Sequence, residues 1–168
     1  MSEPMSEPMS EPLSEPMGEP LSEPMSEPKR DSVNEELEAA LAACEVAFER
    51  TASGSYVVEL PGEHRLKTAV SLTPGEYALT ITAFVARRPD EQHEAVYQVL
   101  LERNRRMYGM AFALDALGDI YLTGKVPLSS IDADELDRLL GCALAYSDGA
   151  FNTILELGFS EAIEHEWR

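Results

Sequence analysis

Tryptophan occurs once, histidine three times and cysteine twice in this chain of 168 residues, and 13 basic residues face 31 acidic ones. Each shortage excludes something. Two cysteines cannot frame a disulfide-stapled domain. Cys44 falls in the series Leu37, Leu41, Cys44, Phe48, and Cys142 lies beside Leu139 and Leu140. Both are expected as small buried hydrophobes, reduced as in a cytoplasm. His64, His93 and His165 form no His-x-x-x-His and no Cys–His ligand pair, so no metal site is expected. Neither a Gly-x-Ser-x-Gly elbow nor a phosphate-binding glycine motif occurs, so neither a serine hydrolase nor a cofactor is expected. No apolar run reaches 18 residues, which argues against a membrane-spanning helix. The first residues have neither a basic start nor an apolar core, so they do not read as a secretory signal. A cytoplasmic location is the expectation. The net charge of -18 repels phosphate backbones and anionic lipid, which excludes a general nucleic-acid or membrane-surface role.

What is present begins with a repeat. Residues 1–28 are seven copies of Met/Leu-Ser/Gly-Glu-Pro, with seven Glu and no Lys or Arg. Proline at every fourth position blocks helix and sheet pairing, and one Met or Leu per copy cannot offset the ordering entropy. The expectation is a disordered acidic tail with polyproline-II bias, followed by one domain over residues 29–168. Such a tail either docks on a partner or is a repeat without selected contacts.

The rest of the chain is organised around residues 87–128. A first helix is expected over Lys29–Ser53, opened by a Ser32/Glu35 capping box and striped by Leu37, Leu41, Cys44 and Phe48. Three strands follow at hairpin spacing. Tyr56, Val58 and Leu60 point inward on the first; Leu66, Thr68, Val70 and Leu72 on the second; Tyr77, Leu79, Ile81, Ala83 and Val85 on the third. Asp90 is expected to cap a second helix with Val96, Tyr97, Leu100, Leu101 and Tyr108 on its apolar face, closing at Gly109. Asn104 would turn inward onto a buried backbone group. Met110, Phe112 and Leu114, then Ile120, Leu122 and Val126, make two more strands, with Gly124 as a candidate bulge. A third helix begins at Asp132, which with Glu135 forms a capping-box variant. It is expected to bend at Ser147-Asp148-Gly149, and a last short helix follows Ser160. The order α-βββ-α-ββ-α(α) is that of an α+β fold on an antiparallel sheet. Helices on one side would leave a second face containing Val57, Ala69, Ala78, Thr80, Thr82 and Phe84, open to a homodimer partner or a client chain.

Chemistry is sparse. Arg87 and Arg88 before the second helix, and Arg103, Arg105 and Arg106 at its end, are the one basic concentration. With Phe84 they form the candidate partner-binding set, suited to an acidic or phosphorylated ligand. They also fit helix-dipole compensation and surface pairs. Asp115 and Asp119 could do acid–base work with Arg87, Arg88 and Arg105, but turn aspartates ordinarily bond their own backbone.

Several stretches together resemble the YbjN domain family, bacterial proteins described as sensory transduction regulators. They are Val57-Val58-Glu59-Leu60-Pro61-Gly62-Glu63, Arg87-Arg88-Pro89-Asp90-Glu91, Leu101-Glu102-Arg103-Asn104, Tyr108-Gly109, Leu114-Asp115, Gly118-Asp119-Ile120-Tyr121-Leu122 and Phe151-Asn152-Thr153. The likeness covers roughly residues 50–168. It implies a fold like that of the type III secretion chaperones, which often dimerise and bind partner peptides, and it implies no catalytic residues. The leading expectation is therefore a non-enzymatic, chaperone-like protein-binding or regulatory module in bacterial signalling. A small-ligand binder or enzyme using the arginines with Asp115 and Asp119 is the alternative.

Overall fold

The structure, a computed structural model, describes residues 27–159. Residues 1–26 of the repeat and the short helix expected after Ser160 lie outside the described residues. Helix α1 spans Glu27–Ala43, with Pro28 in the first turn, where a missing N–H costs nothing. Asn34, Leu37, Ala40 and Leu41 form its buried stripe. Ser32 sits inside the helix, its hydroxyl donating to the Glu36 carboxylate at 3.4 Å, so the expected capping box is not formed. The helix also stops ten residues before Ser53. Glu45 adopts φ 56°, which breaks the helix, and Phe48–Arg50 emerge as an unexpected strand β1.

Strands β2 (Tyr56–Pro61), β3 (Lys67–Pro74) and β4 (Ala78–Ala86) follow, then helix α2 (His93–Asn104), strands β5 (Ala111–Leu114) and β6 (Ile120–Pro127), a single 3-10 turn (Leu128–Ser130) and helix α3 (Ala133–Gly158). The six strands form one antiparallel sheet in the order β1-β2-β3-β4-β6-β5. The α+β class stands, with one strand more than the periodicity revealed.

Alternation decides the two faces. Tyr56, Val58, Val70, Leu72, Leu79, Ile81, Ile120 and Leu122 are at most 1% exposed, and they merge with Leu37, Leu41, Val96, Leu100, Leu136, Leu139 and Ile154 into one core. The intervening residues, Val57, Ala69, Ala78, Thr80, Thr82 and Phe84, are half-buried or exposed, as their period-2 positions require. Four residues given to the inner side are not there, Tyr108 among them. Leu66 precedes β3 and is 92% exposed, Tyr77 precedes β4 and is 72% exposed, and Leu101 lies on the wet side of α2.

The corrections at the helices share a cause: tertiary contacts override local signals. Gln92, in the left-handed region at φ 50°, replaces Asp90 as the residue before α2 and offers no side-chain cap. That helix ends at Asn104 rather than Gly109, and Tyr108 is 47% exposed. Helix α3 is capped as expected, Asp132 accepting from the Glu135 N–H at 2.8 Å. It then runs unbroken through Ser147-Asp148-Gly149. Gly124 is not a bulge, because β4 and β6 stay in register there. It is a site of close approach: a Cβ at this position would collide with the Gly109 carbonyl oxygen. The bulge lies between Phe84 and Ala86. It puts Val85 and Ala86 both inside, at 1% and 6% exposure.

Candidate functional site

The bulge turns the end of β4 toward α3, and the turn between β2 and β3 is pulled to meet it. The anchor is Asp148, 8% exposed on α3. Its carboxylate accepts the backbone N–H groups of Glu63, His64 and Arg65 at 3.3, 2.9 and 2.9 Å. Burial raises its pKa, but the bonds from Arg65, His64 and Glu63 together outweigh that and leave it below the usual aspartate value. Gly62 is required beside it, since a Cβ would come within 2.6 Å of the Asp148 Oδ1 atom. The neighbouring Ser147 hydroxyl lies 3.1 Å from that of Thr68, both fully buried.

The anchored turn presents Leu66 to solvent and lays Arg65 across the gap. The Arg65 guanidinium donates to the Phe84 carbonyl at 2.9 Å and lies 5.2 Å from the Phe151 ring centroid. Its pKa is lowered, chiefly by burial, with the Asp148 charge opposing. On the far side Arg87 holds Asp90 in a bidentate pair at 2.6 and 2.7 Å and sits 4.4 Å from the Phe159 ring centroid. Its pKa is raised, first by the hydrogen bond to Asp90. Between these walls lies a groove of about 650 Å³, lined by Phe84, Val85, Ala86, Phe151, Leu155 and Phe159, with Leu66 projecting at its edge beside His64, Arg65, Lys67 and Arg87. It combines an apolar strip with N–H donors along the border.

Two of the six residues expected to bind a partner, Phe84 and Arg87, are brought together here. The other four are elsewhere. Arg88 donates its backbone N–H to Asp119 at 2.7 Å and packs its stem on Gly118. Arg103 ties α2 to α3 through the Gly149 carbonyl at 2.9 Å and the Thr153 hydroxyl at 3.1 Å. Arg105 and Arg106 border a separate cleft of about 470 Å³ with Met107 and Tyr146. The single basic concentration is thus divided between opposite ends of α2, about 18 Å apart at 1.5 Å per residue. The carboxylates are committed as well. Asp115 accepts from the N–H groups of Leu117 and Asp119 in its own turn, and Asp119 holds the chain at Arg88. Asn104 reaches inward as expected, bonding both backbone groups of Phe112 at 2.7 and 3.2 Å. Among the described residues no group of His, Cys, Asp or Glu is arranged to hold a metal ion, and no helix is long and apolar enough to cross a membrane.

Arg65, Leu66 and Asp148 escaped the sequence reading. Arg65 and Leu66 look like turn and strand residues, and nothing local links Asp148 to a turn more than 80 positions earlier. The pairing of Gly62 with a polar residue inside an apolar helix was the one signal that could have suggested it.

Comparison with known proteins places this geometry. The fold recurs in a chain of the HopA1–SchA chaperone–effector complex, with a TM-score of 0.58 at 13% identity, covering 76% of this chain and 98% of that one. It recurs in the structure of the Yersinia pestis type III secretion chaperone SycH with a fragment of YscM2, with a TM-score of 0.53 at 17% identity, covering 68% and 96%. The ExoU–SpcU complex of Pseudomonas aeruginosa gives 0.53 at 18% identity, covering 69% and 95%. The fold is therefore type III secretion chaperone-like. In sequence, uncharacterized proteins of Mycobacterium tuberculosis H37Rv and Mycobacterium leprae are each 54% identical, over 112 and 111 residues, or 67% and 66% of this chain. These matches span 61% and 60% of the relatives' own lengths. Residues 34–156 match the model of a family described as "Putative bacterial sensory transduction regulator", and the chain belongs to that family, YbjN.

Proposed function

We propose that this chain is a non-enzymatic, chaperone-like protein-binding module with a regulatory role in bacterial signalling, acting in the cytoplasm and holding a segment of a partner protein in the Arg65–Arg87 groove. One observation carries the reading: on a chain of net charge -18, an apolar groove is bordered by cations and edged by a leucine at 92% exposure. A leucine that exposed, beside an apolar strip that includes Phe84 and Phe151, supports an interaction site. The rim adds direction, since a guanidinium with unspent N–H groups favours acidic or carbonyl-rich segments. The similar folds include one solved as a chaperone–effector complex and one solved with a fragment of a second protein, which supports a partner chain over a small ligand.

The test is differential capture. The full chain, Leu66→Glu and Phe84→Glu are immobilised in turn and exposed to a bacterial extract. The expected result is a protein retained by the parent and lost, on the order of tenfold, with both variants at unchanged melting temperatures. Equal capture by all three would remove the groove from the function.

A further inference from the structure

The cations at the edge of the groove are not equivalent. Lys67 is paired with Glu59 at 2.6 Å, and Arg87 with Asp90 at 2.6 and 2.7 Å. Arg65 has no carboxylate at ion-pair distance among the described residues. Asp148 acts on it only through space, its oxygens being taken by the backbone N–H groups of Glu63, His64 and Arg65. The guanidinium donates to the neutral Phe84 carbonyl at 2.9 Å, which leaves most of its fork of N–H donors free. Burial lowers its pKa, so this half-buried cation sits where solvent stabilises it poorly. The Phe84 carbonyl and the Phe151 ring hold the fork in place, so a ligand that meets it costs little further ordering.

We infer that the partner segment is acidic as well as apolar: one of its Asp or Glu side chains closes on Arg65 as a bidentate pair, while a neighbouring large apolar side chain lies on Phe84 and Phe151. The inference rests on the groove being the partner site proposed above, and it makes Arg65 the residue that selects the partner's charge. Geometry supports it. The guanidinium fork matches a carboxylate. It lies 5.2 Å from the Phe151 ring centroid, about the rise of one to two extended residues, so the two groups belong to adjacent positions of one chain. The sign of the charge makes the reading sharp. A chain of net charge -18 repels an acidic ligand at long range. At about 0.15 M salt that repulsion is screened beyond about 8 Å, whereas a contact on a half-buried cation is screened much less. A preference for acidic segments on so acidic a protein can only come from a local cation, and Arg65 is the groove cation without a carboxylate of its own.

The probes are short synthetic peptides labelled for fluorescence anisotropy, with a Glu-Leu-Phe-Glu core in a Gly-Ser background. Companion peptides replace both Glu by Gln, both Glu by Lys, or Leu-Phe by Ser-Ser. Each is titrated with the full chain at about 0.15 M salt. The parent should bind the Glu peptide on the order of tenfold more tightly than the Gln peptide, with the Lys and Ser-Ser peptides weaker than the Glu peptide. Arg65→Gln should bring the Glu and Gln peptides to equal affinity. Arg65→Lys, which keeps the charge and loses the fork, should retain part of the preference. Leu66→Ser should weaken both peptides alike, and Arg106→Gln, at the far end of α2, should change neither. A parent that binds the Gln or Lys peptide as tightly as the Glu peptide overturns the inference. So does a preference that survives Arg65→Gln, or, if that variant does not fold, one left whole by Arg65→Lys. Failure of every peptide to bind by ~1 mM overturns it too, as does displacement of the Glu peptide by free glutamate, which would give Arg65 to a small carboxylate. The two readings fail separately. If a partner from the extract depends on Leu66 and Phe84 while the peptides show no charge preference, the groove keeps its function and the acidic partner falls. If the preference depends on Arg65 and the extract capture is equal for all chains, the selectivity stands and the proposed function falls.

Discussion

The two faces of the sheet are built from the same strands and have opposite characters. Along β4, Leu79, Ile81, Ala83 and Val85 are 0–1% exposed, while Thr80, Thr82 and Phe84 between them remain accessible. One face is apolar because three helices cover it. The other mixes Thr and Ala with charged side chains, Lys125 and the ion-paired Glu59 and Lys67, and with two aromatics, Phe84 and Tyr121, paired across strands at 5.4 Å in an edge-on geometry. Stability therefore resides on one face and accessibility on the other, and the groove lies where the two meet.

The largest expected effect comes from hollowing the covered face. Ile81→Ala should cost about 2–5 kcal/mol in denaturant unfolding, whereas its neighbour Thr80→Ala should stay within about 0.5 kcal/mol. Comparable losses would mean the faces are not as distinct as their burial indicates. Next, Asn104→Ala leaves the Phe112 N–H and C=O without their partner and should cost about 1–3 kcal/mol by the same assay.

Asp148 sharpens the contrast because it ties the turn that leads from the covered face to the groove. Its pKa is depressed in the folded protein, so its stabilising effect is present above the unfolded value of about 3.9 and is lost as pH falls through the folded value. Asp148→Asn should lower the melting temperature at pH 7, and the gap from the parent should close below about pH 4. A gap that persists in acid would mean the carboxylate charge is not what holds the turn. The smallest expected effect on folding tests the open face. We expect self-association there, so light scattering at ~100 μM, where a μM dimer is populated, should give a mass above one chain. Thr82→Glu, at the centre of that face and away from the groove, should return it to a monomer at an unchanged melting temperature. A monomeric parent removes the homodimer.

Much of the covered face was legible, because alternation over Tyr56–Leu60, Thr68–Leu72 and Leu79–Val85 is a strong signal wherever one side of a strand is dry. Helix α1 was overextended because Leu37, Leu41, Cys44 and Phe48 keep helical spacing through a break. That break comes from a left-handed Glu45 rather than from glycine or proline. Ser147-Asp148-Gly149 read as a bend because polar residues and glycine disfavour helix interiors. Here their groups are spent on other segments: Ser147 on Thr68, Asp148 on the 63–65 turn and the Gly149 carbonyl on Arg103. The site was half legible. Phe84 and Arg87 could be singled out by type, but what assembles the groove is a contact between α3 and a turn more than 80 positions away, which no local pattern encodes.

The strand order carries a consequence for the unfolded chain. Residues 77–86, Tyr-Ala-Leu-Thr-Ile-Thr-Ala-Phe-Val-Ala, hold no charge and are rich in β-branched and aromatic side chains, the composition that templates cross-β aggregates. The native sheet places this segment at its centre, hydrogen-bonded to β3 and β6 on both sides. The outer positions go to β1 and β5, only three and four residues long, too short to recruit a further strand readily. Glu76 on one flank and Arg87-Arg88 on the other act as gatekeepers before the sheet closes. In chain order β4 (Ala78–Ala86) precedes β6 (Ile120–Pro127), so the strand that covers its second edge is made later.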